Sequence, residues 1–108
     1  MSIIMESSII VSRIAKTIHD NDPLAEAYLF GSRARGDSKP NSDWDILILV
    51  NESKVTNDIE DKFRDDLYDI ELDLGQVIST FVYTKDYWQN TLIYSPLFDN
   101  VKNEGIRL

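Results

Sequence analysis

Cysteine is absent from this chain of 108 residues, and histidine occurs once. Without thiols there can be no disulfide and no thiolate metal site, and the composition favours a cytoplasmic location. No run approaches the roughly 18 apolar residues of a membrane-spanning helix, and the N-terminus lacks the basic leader and cleavage site of a signal peptide. We therefore predict one domain over residues 1–108, near the commonest domain size, without membrane contact.

Positive charge is also scarce, because 11 Lys and Arg face 19 Asp and Glu, for a net charge of −8. Binding to a nucleic-acid backbone depends on clustered Lys and Arg, so the composition argues against nucleic acid as a partner. An acidic protein can still bind a nucleoside triphosphate if divalent metal ions bridge the two sets of negative charge. The charge balance therefore favours a metal-dependent site over a basic groove.

Hydrophobic periodicity predicts alternating helices and strands. A first helix stops at residues 21–23, and two helices are predicted near the C-terminus. Between them we expect a strand over 25–30, a strand buried on both faces over 44–50, a helix over 57–74 and a strand over 77–83. This order predicts a single α/β (α+β) domain.

Capping residues predict where the helices begin and end. Asn57 opens a capping-box pattern, and Thr84 and Ser95 are the expected N-caps of the two later helices. The last helix should end at Gly105, with Ile106 folding back in a Schellman-like contact.

A glycine–serine pair, Gly31-Ser32, follows the first predicted strand. Glycine lets a backbone turn sharply and approach a ligand closely. If residues 32–35 open a short helix, its free N–H groups and the Ser32 hydroxyl can bind an anion. An ordinary turn is the alternative interpretation.

Two aspartates, Asp43 and Asp45, stand at the start of the strand over 44–50. Side chains alternate along a strand, so these two carboxylates point the same way and repel each other unless a cation lies beside them. Oxygen ligands of this kind suit Mg²⁺ or Mn²⁺. The alternative is that Asp43 is a turn residue and Asp45 an edge charge.

Three other motifs that the sequence resembles are excluded. A P-loop needs lysine where Asp37 stands, and a calcium-binding EF-hand needs glycine where Ile46 stands. The Arg-Gly-Asp triplet ending at Asp37 is accidental in a cysteine-free chain of this kind.

Gly-Ser, ten residues and Asp-x-Asp leading into an apolar strand resemble the signature of polymerase-β-like nucleotidyltransferases. The form FGSRARGDSKPNSDWDILIL is similar to the minimal branch, the antitoxin-type partners of HEPN proteins. The resemblance implies a small fold with a mixed sheet of three to four strands and helices packed against it. It also implies a Mg²⁺-dependent enzyme that moves a nucleoside monophosphate, AMP from ATP or another NTP, to a hydroxyl group.

The resemblance implies roles for the four motif residues and for the basic residues beside them. Gly31 and Ser32 would hold the β- and γ-phosphates, with charge added by Arg33 or Arg35. Asp43 and Asp45 would ligate the metal ions and carry the catalysis.

The family usually carries a third carboxylate on the next strand, where this sequence has Gln76 or Ser79. Asp73 could substitute if that strand began earlier. Without a third acid, nucleotide binding could survive while transfer becomes slow. The alternative function is therefore a weak or inactive binding protein that neutralises its partner by complex formation.

No second domain is predicted, so another protein must present the acceptor hydroxyl. The resemblance implies a small helical HEPN-like partner in a toxin–antitoxin pair, with a homodimer or hetero-oligomer possible. A small-molecule acceptor is the third hypothesis, weakened because no domain remains to bind it.

Overall fold

The computed structural model describes the backbone of residues 3–108 and the side chains from residue 7 onward. In this range the helices and strands follow the predicted order closely, with one additional short strand at the C-terminal end. The elements are α1 (Ile3–Asn21), β1 (Glu26–Phe30), α2 (Ser32–Arg35), β2 (Trp44–Val50), α3 (Asn57–Leu74), β3 (Ile78–Thr84), α4 (Lys85–Asn90), a 3₁₀ turn (Leu92–Tyr94), α5 (Pro96–Glu104) and β4 (Ile106–Arg107). No helix in this part of the chain is long and apolar enough to cross a membrane.

The four strands form one mixed sheet in the order β3-β2-β1-β4. β1 runs antiparallel to both β2 and β4, whereas β2 and β3 are parallel. The parallel pair is joined by α3, since parallel neighbours need a long crossover. β2 lies inside the sheet and is buried along nearly its whole length, as its continuous apolar run predicts. The predicted α/β (α+β) class and mixed sheet are confirmed.

Each face of the sheet is covered by a separate layer of helices. The larger core joins α1 and α3 to one set of alternating β2 residues, Trp44, Ile46, Ile48 and Val50. The other β2 residues, Leu47 and Leu49, pack with Phe30, Trp88 and Val101, which belong to β1, α4 and α5. Fully burying a large aliphatic or aromatic side chain contributes about 1.5–3 kcal/mol. The two cores therefore fix which face of β2 each residue occupies.

Two of the three predicted N-caps are confirmed. The Thr84 hydroxyl accepts a hydrogen bond from the N–H of Tyr87 at 3.0 Å, and the Ser95 hydroxyl accepts one from Phe98 at 3.1 Å. The prediction for α3 is wrong by one residue, because Thr56 is its N-cap and Asn57 is its first helical residue. Both residue types cap helices well, so their sequence alone does not separate adjacent candidates.

The last helix ends before Gly105 as predicted, but the chain after it does not follow the predicted Schellman-like path. Gly105 is extended, with φ −66° and ψ 137°, so it does not form the left-handed turn of a Schellman motif. Instead Ile106 pairs with Leu29 and Arg107 with Tyr28, which adds β4 to the sheet. The free edge of β1 provides backbone partners that a local helix-end pattern cannot indicate.

Candidate functional site

The register between β1 and β2 brings the Gly31 turn beside Asp45. Phe30, the last residue of β1, is paired with Asp45, so Gly31 leaves the sheet next to that carboxylate. Gly31 has φ 75° and ψ −160°. A Cβ atom added there would overlap Oδ2 of Asp45 and lie 3.1 Å from its Cγ. Glycine is therefore required both by the backbone conformation and by the carboxylate against it.

The turn continues into α2, a single helical turn. The carbonyl of Gly31 accepts hydrogen bonds from the N–H groups of Ala34 and Arg35, both at 3.0 Å. In the described part of the chain, no hydrogen bond uses the N–H groups of Ser32 and Arg33. These two donors and the Ser32 hydroxyl are therefore available to an anion. The structure places both predicted phosphate-binding residues, Gly31 and Ser32, at this turn.

Asp43 and Asp45 share a small acidic site at the start of β2. Asp43 is exposed and directly precedes the strand, while Asp45 is partly buried on the side of Leu47 and Leu49. Burial raises the pKa of Asp45 above its ordinary value, and the negative charges of Asp43 and Glu104 raise it further, against a lowering by Arg35. Desolvation and like charge both disfavour the ionised carboxyl. A cation beside the pair would relieve this cost.

Glu104, at the end of α5, is a third acidic residue of the site that the sequence did not indicate. Its Oε2 accepts a hydrogen bond from the N–H of Gly31 at 2.6 Å and a charged one from Arg35 at 3.0 Å. Its side chain is only 16% exposed. Glu104 is separated from Gly31 by 73 residues, so no local pattern could have placed it there.

Arg33 lies against the loop between α2 and β2. Its Nη2 donates to the carbonyls of Ser42 at 2.9 Å and Pro40 at 3.3 Å, and its guanidinium stacks 4.5 Å from the centre of the Trp44 ring. Trp44 faces α1 and α3, opposite Asp45. The structure therefore does not bring the Arg33 side chain to the aspartates. It holds the loop, and Arg35 is the basic residue beside the site.

Ser79 occupies the position on β3 nearest to Asp45, because the two residues are paired in the parallel register. They point to the same face of the sheet, so a carboxylate at this position would join the acidic site. Gln76 lies elsewhere: its Oε1 accepts a hydrogen bond from the Trp44 indole at 2.6 Å. The expected third carboxylate on β3 is therefore replaced by a serine.

Asp73 is not brought to this site. It lies on α3 and forms an ion pair with Arg13 of α1 at 2.5 Å, with 61% of its side chain exposed. Those two helices cover the opposite face of the sheet. The substitution considered in the sequence would require β3 to begin near residue 73, but α3 continues to Leu74. Among the residues described, no group of three His, Cys, Asp or Glu could hold a metal ion.

Four cavities among the described residues lie away from the Gly31 turn. Their volumes are about 130 to 300 Å³, and none of the four is lined by Gly31, Ser32, Asp43 or Asp45. None of these four cavities therefore offers a place for an acceptor molecule at the turn.

A family model described as a nucleotidyltransferase domain matches residues 11–103. The protein MJ0141 of Methanocaldococcus jannaschii, provisionally named a protein adenylyltransferase, is 33% identical over 88 residues, which is 81% of each chain. A structure of a mutant of the toxin–antitoxin MntA–HpeT has a TM-score of 0.63 and 22% identity, over 90% of this chain and 69% of that one. A toxin–antitoxin structure with AMP-PNP has a TM-score of 0.64 and 23% identity, over 89% of this chain and 69% of that one.

The family match, the fold and the Gly-Ser and Asp-x-Asp residues are thus found together in the part of the chain that the structure describes. The match covers most of the chain, and the structural likeness supports the same fold independently. This chain belongs to the nucleotidyltransferase family.

Proposed function

We propose that this protein binds ATP with Mg²⁺ at the turn beside Asp45 and transfers AMP to a hydroxyl group on a partner protein. The observation that carries the proposal is the pairing of Phe30 with Asp45, which sets the Gly31–Ser32 turn against the acidic site. An anion-binding turn and a cation-binding pair at one place suit a metal–nucleotide complex. The M. jannaschii relative, named as a protein adenylyltransferase, supports AMP as the transferred group.

The residues present fit a magnesium ion. Asp43 and Asp45 offer oxygen ligands only, and the charge crowding that raises the pKa of Asp45 is what a divalent cation would relieve. Mg²⁺ commonly takes one or two carboxylates and completes its shell with water and substrate phosphates. Two carboxylates are therefore sufficient to hold Mg²⁺ or Mn²⁺ together with the nucleotide. The ion would supply charge stabilisation at the phosphates.

The protein groups bind and orient the triphosphate. Ser32 offers its N–H and hydroxyl, and Arg33 offers its backbone N–H, to the β- and γ-phosphates. Arg35 adds a positive charge beside the turn. In the transfer, an acceptor oxygen forms a bond to the α-phosphorus while the bond to the β-phosphate oxygen breaks. Pyrophosphate leaves with that electron pair, and the acceptor hydroxyl passes its proton to solvent water.

The acceptor would come from a second protein. None of the four cavities among the described residues is lined by Gly31, Ser32, Asp43 or Asp45, so none of the four offers a place for a small acceptor beside these residues. The structural neighbours are toxin–antitoxin proteins, one with AMP-PNP. We therefore propose an antitoxin that modifies a small helical HEPN-like partner in a hetero-oligomer. A gene for such a protein beside this one would support the assignment, and the cytoplasm remains the predicted location.

Isothermal titration calorimetry of the purified protein with AMP-PNP tests the binding step. Binding should require Mg²⁺ or Mn²⁺, and Asp43→Asn and Asp45→Asn should each weaken it at least about tenfold, the effect of losing one charged contact. Asp61→Asn is the matched control, because Asp61 is exposed on α3 and makes no ion pair among the described side chains. Equal binding by all four proteins would overturn the metal assignment.

Transfer is tested with α-labelled ATP and a co-expressed HEPN-like protein. Label should appear on the partner with the wild type and not with Asp43→Asn. Label on the partner that persists in Asp43→Asn would contradict the proposed chemistry.

One observation favours a second function, neutralisation of a partner by complex formation without efficient transfer. Ser79 stands beside Asp45 where a third carboxylate would help activate the acceptor hydroxyl. If this function is correct, Asp43→Asn will still neutralise the partner. If transfer is required, the same variant will lose neutralisation while it retains complex formation.

A further inference from the structure

We propose that Glu104 is a positioning residue of the nucleotide site, which holds the Gly31 peptide and Arg35 in the geometry that receives the phosphates. This inference rests on the proposed function, since it assigns a role within the same site. It is carried by two hydrogen bonds to one carboxylate oxygen, from Gly31 at 2.6 Å and from Arg35 at 3.0 Å.

The hydrogen bond to Gly31 fixes the direction of the turn. Gly31 has a left-handed φ of 75°, and its N–H would otherwise be free at the end of β1. When it donates to Glu104, the peptide is held and Asp45 packs closely against the Gly31 Cα. The next two N–H groups, of Ser32 and Arg33, then remain free for the phosphates.

The ion pair between Glu104 and Arg35 holds the other end of α2. Arg35 also contacts the exposed Asp37 at 3.2 Å, but Glu104 is its less exposed partner. The hydrogen bonds from Gly31 and Arg35 both end on the Oε2 atom of Glu104, so both depend on where that oxygen is held. One carboxylate on α5 therefore ties together both ends of a helix that is only four residues long. A helix this short has no stability of its own.

Glu104 and Gly31 are 73 residues apart in sequence, and the packing of the C-terminal elements on β1 brings them together. α5 packs on β1 through Val101 and Phe30 in the smaller core. β4 follows directly after Gly105 and pairs with β1. The end of α5 is therefore held on both sides, so the carboxylate has little freedom to leave the turn.

A positioning role requires that the side chain at position 104 is long enough to reach Gly31, and the charge of its carboxylate matters less. Two substitutions change the length and the charge separately. Glu104→Gln keeps the length and the accepting oxygen but removes the charge. Glu104→Asp keeps the charge but withdraws the carboxylate by about 1.5 Å, one carbon–carbon bond. Asp99→Asn is the matched control, because Asp99 is exposed on the same helix and makes no hydrogen bond or ion pair among the described side chains.

The measurements are titrations with Mg²⁺ and AMP-PNP, with Mn²⁺ alone, and the amide proton shift of Gly31 without ligand. We expect Glu104→Asp to weaken nucleotide binding about tenfold, Glu104→Gln to stay within about threefold, and Asp99→Asn to match the wild type. Binding of Mn²⁺ alone should persist in all three. The Gly31 amide should lie far downfield in the wild type and in Glu104→Gln, and should move upfield in Glu104→Asp.

Three results would overturn the inference. Tighter nucleotide binding by Glu104→Gln would make Glu104 a competitor of the phosphates. A loss of Mn²⁺ binding in Glu104→Gln would make it a metal ligand, and unchanged nucleotide binding in both variants would give it no role. If the wild type itself binds no nucleotide, the proposed function fails and this role with it, although the Gly31 amide shift would still report the contact.

Discussion

Gly31 and Asp45 lie so close that a Cβ atom on the glycine would overlap a carboxylate oxygen of the aspartate. The contact follows from strand pairing, because Phe30 and Asp45 are partners across β1 and β2. Gly31 must also adopt a φ of 75°. The Gly31 turn and the Asp45 carboxylate are thus parts of one arrangement that the pairing of β1 with β2 sets.

Gly31→Ala should abolish binding of Mg²⁺ and AMP-PNP. The backbone of Gly31, with φ 75° and ψ −160°, lies in a region that is essentially restricted to glycine and costs about 1–3 kcal/mol for a residue with a Cβ, and Asp45 must also move. Gly36→Ala is the matched control, because Gly36 has φ 86° but nothing within 4 Å of an added Cβ. Gly36→Ala should show the cost of a left-handed α conformation without any steric overlap, about 1–2 kcal/mol by urea unfolding, and it should keep most of the binding. A similar loss of binding in both variants would refute the steric explanation.

In the metal-free protein, the contribution of Asp45 to the free energy of unfolding should fall as the pH rises above 3.8, the ordinary pKa of this carboxyl. Its pKa is raised in the folded state, so the folded protein binds more protons than the unfolded chain in that window, and stability falls as they are released. Asp45→Asn should therefore be more stable than the wild type near neutral pH and lose this advantage near pH 3.5.

The comparison is made by urea unfolding in a chelator at several pH values. Asp61→Asn serves as a control for the loss of one acidic side chain. A difference between Asp45→Asn and the wild type that does not change with pH would contradict the prediction.

Ser79→Asp should strengthen metal binding and weaken the metal-free fold. Ser79 is the partner of Asp45 on β3, so the new carboxylate would add a third like charge at the site. Without metal we expect a loss of about 0.5–3 kcal/mol, the usual range for a single substitution, which Mn²⁺ should reverse. Ser79→Asn, similar in size but uncharged, should show neither effect. Tighter Mn²⁺ binding is measured by titration, and its absence would place Ser79 outside the metal site.

Arg33→Lys should destabilise the protein almost as much as Arg33→Ala. The planar guanidinium donates to two carbonyls and stacks on Trp44, and an ammonium group cannot do both. The expected loss is about 1–3 kcal/mol from the stacking and hydrogen bonds together. Lys16→Ala, which removes an exposed ion pair with Asp20, should change stability by less than about 1 kcal/mol. Full rescue by lysine in urea unfolding would argue against the stacking role.

Much of the fold could be predicted, because its signals are local. The run from Trp44 to Val50 indicated a strand buried on both faces, and β2 lies inside the sheet. The N-caps Thr84 and Ser95 were found from their side-chain chemistry. The N-cap prediction at Asn57 was wrong by one residue, since neighbouring residues compete for a cap. The last helix ends before Gly105 as predicted, but the Schellman-like contact of Ile106 was wrong, because a free strand edge can recruit a C-terminal segment.

The sequence by itself determined which groups the candidate site contains: a glycine that can turn, a serine hydroxyl, and two carboxylates on one face of a strand. These properties depend only on residue type and on short spacings, because side chains alternate between the two faces of a strand. Only the tertiary structure decided that Arg33 turns towards Trp44, that Asp73 pairs with Arg13, and that Glu104 reaches Gly31. Contacts between distant residues depend on sheet register and helix packing, and these are fixed by the whole core.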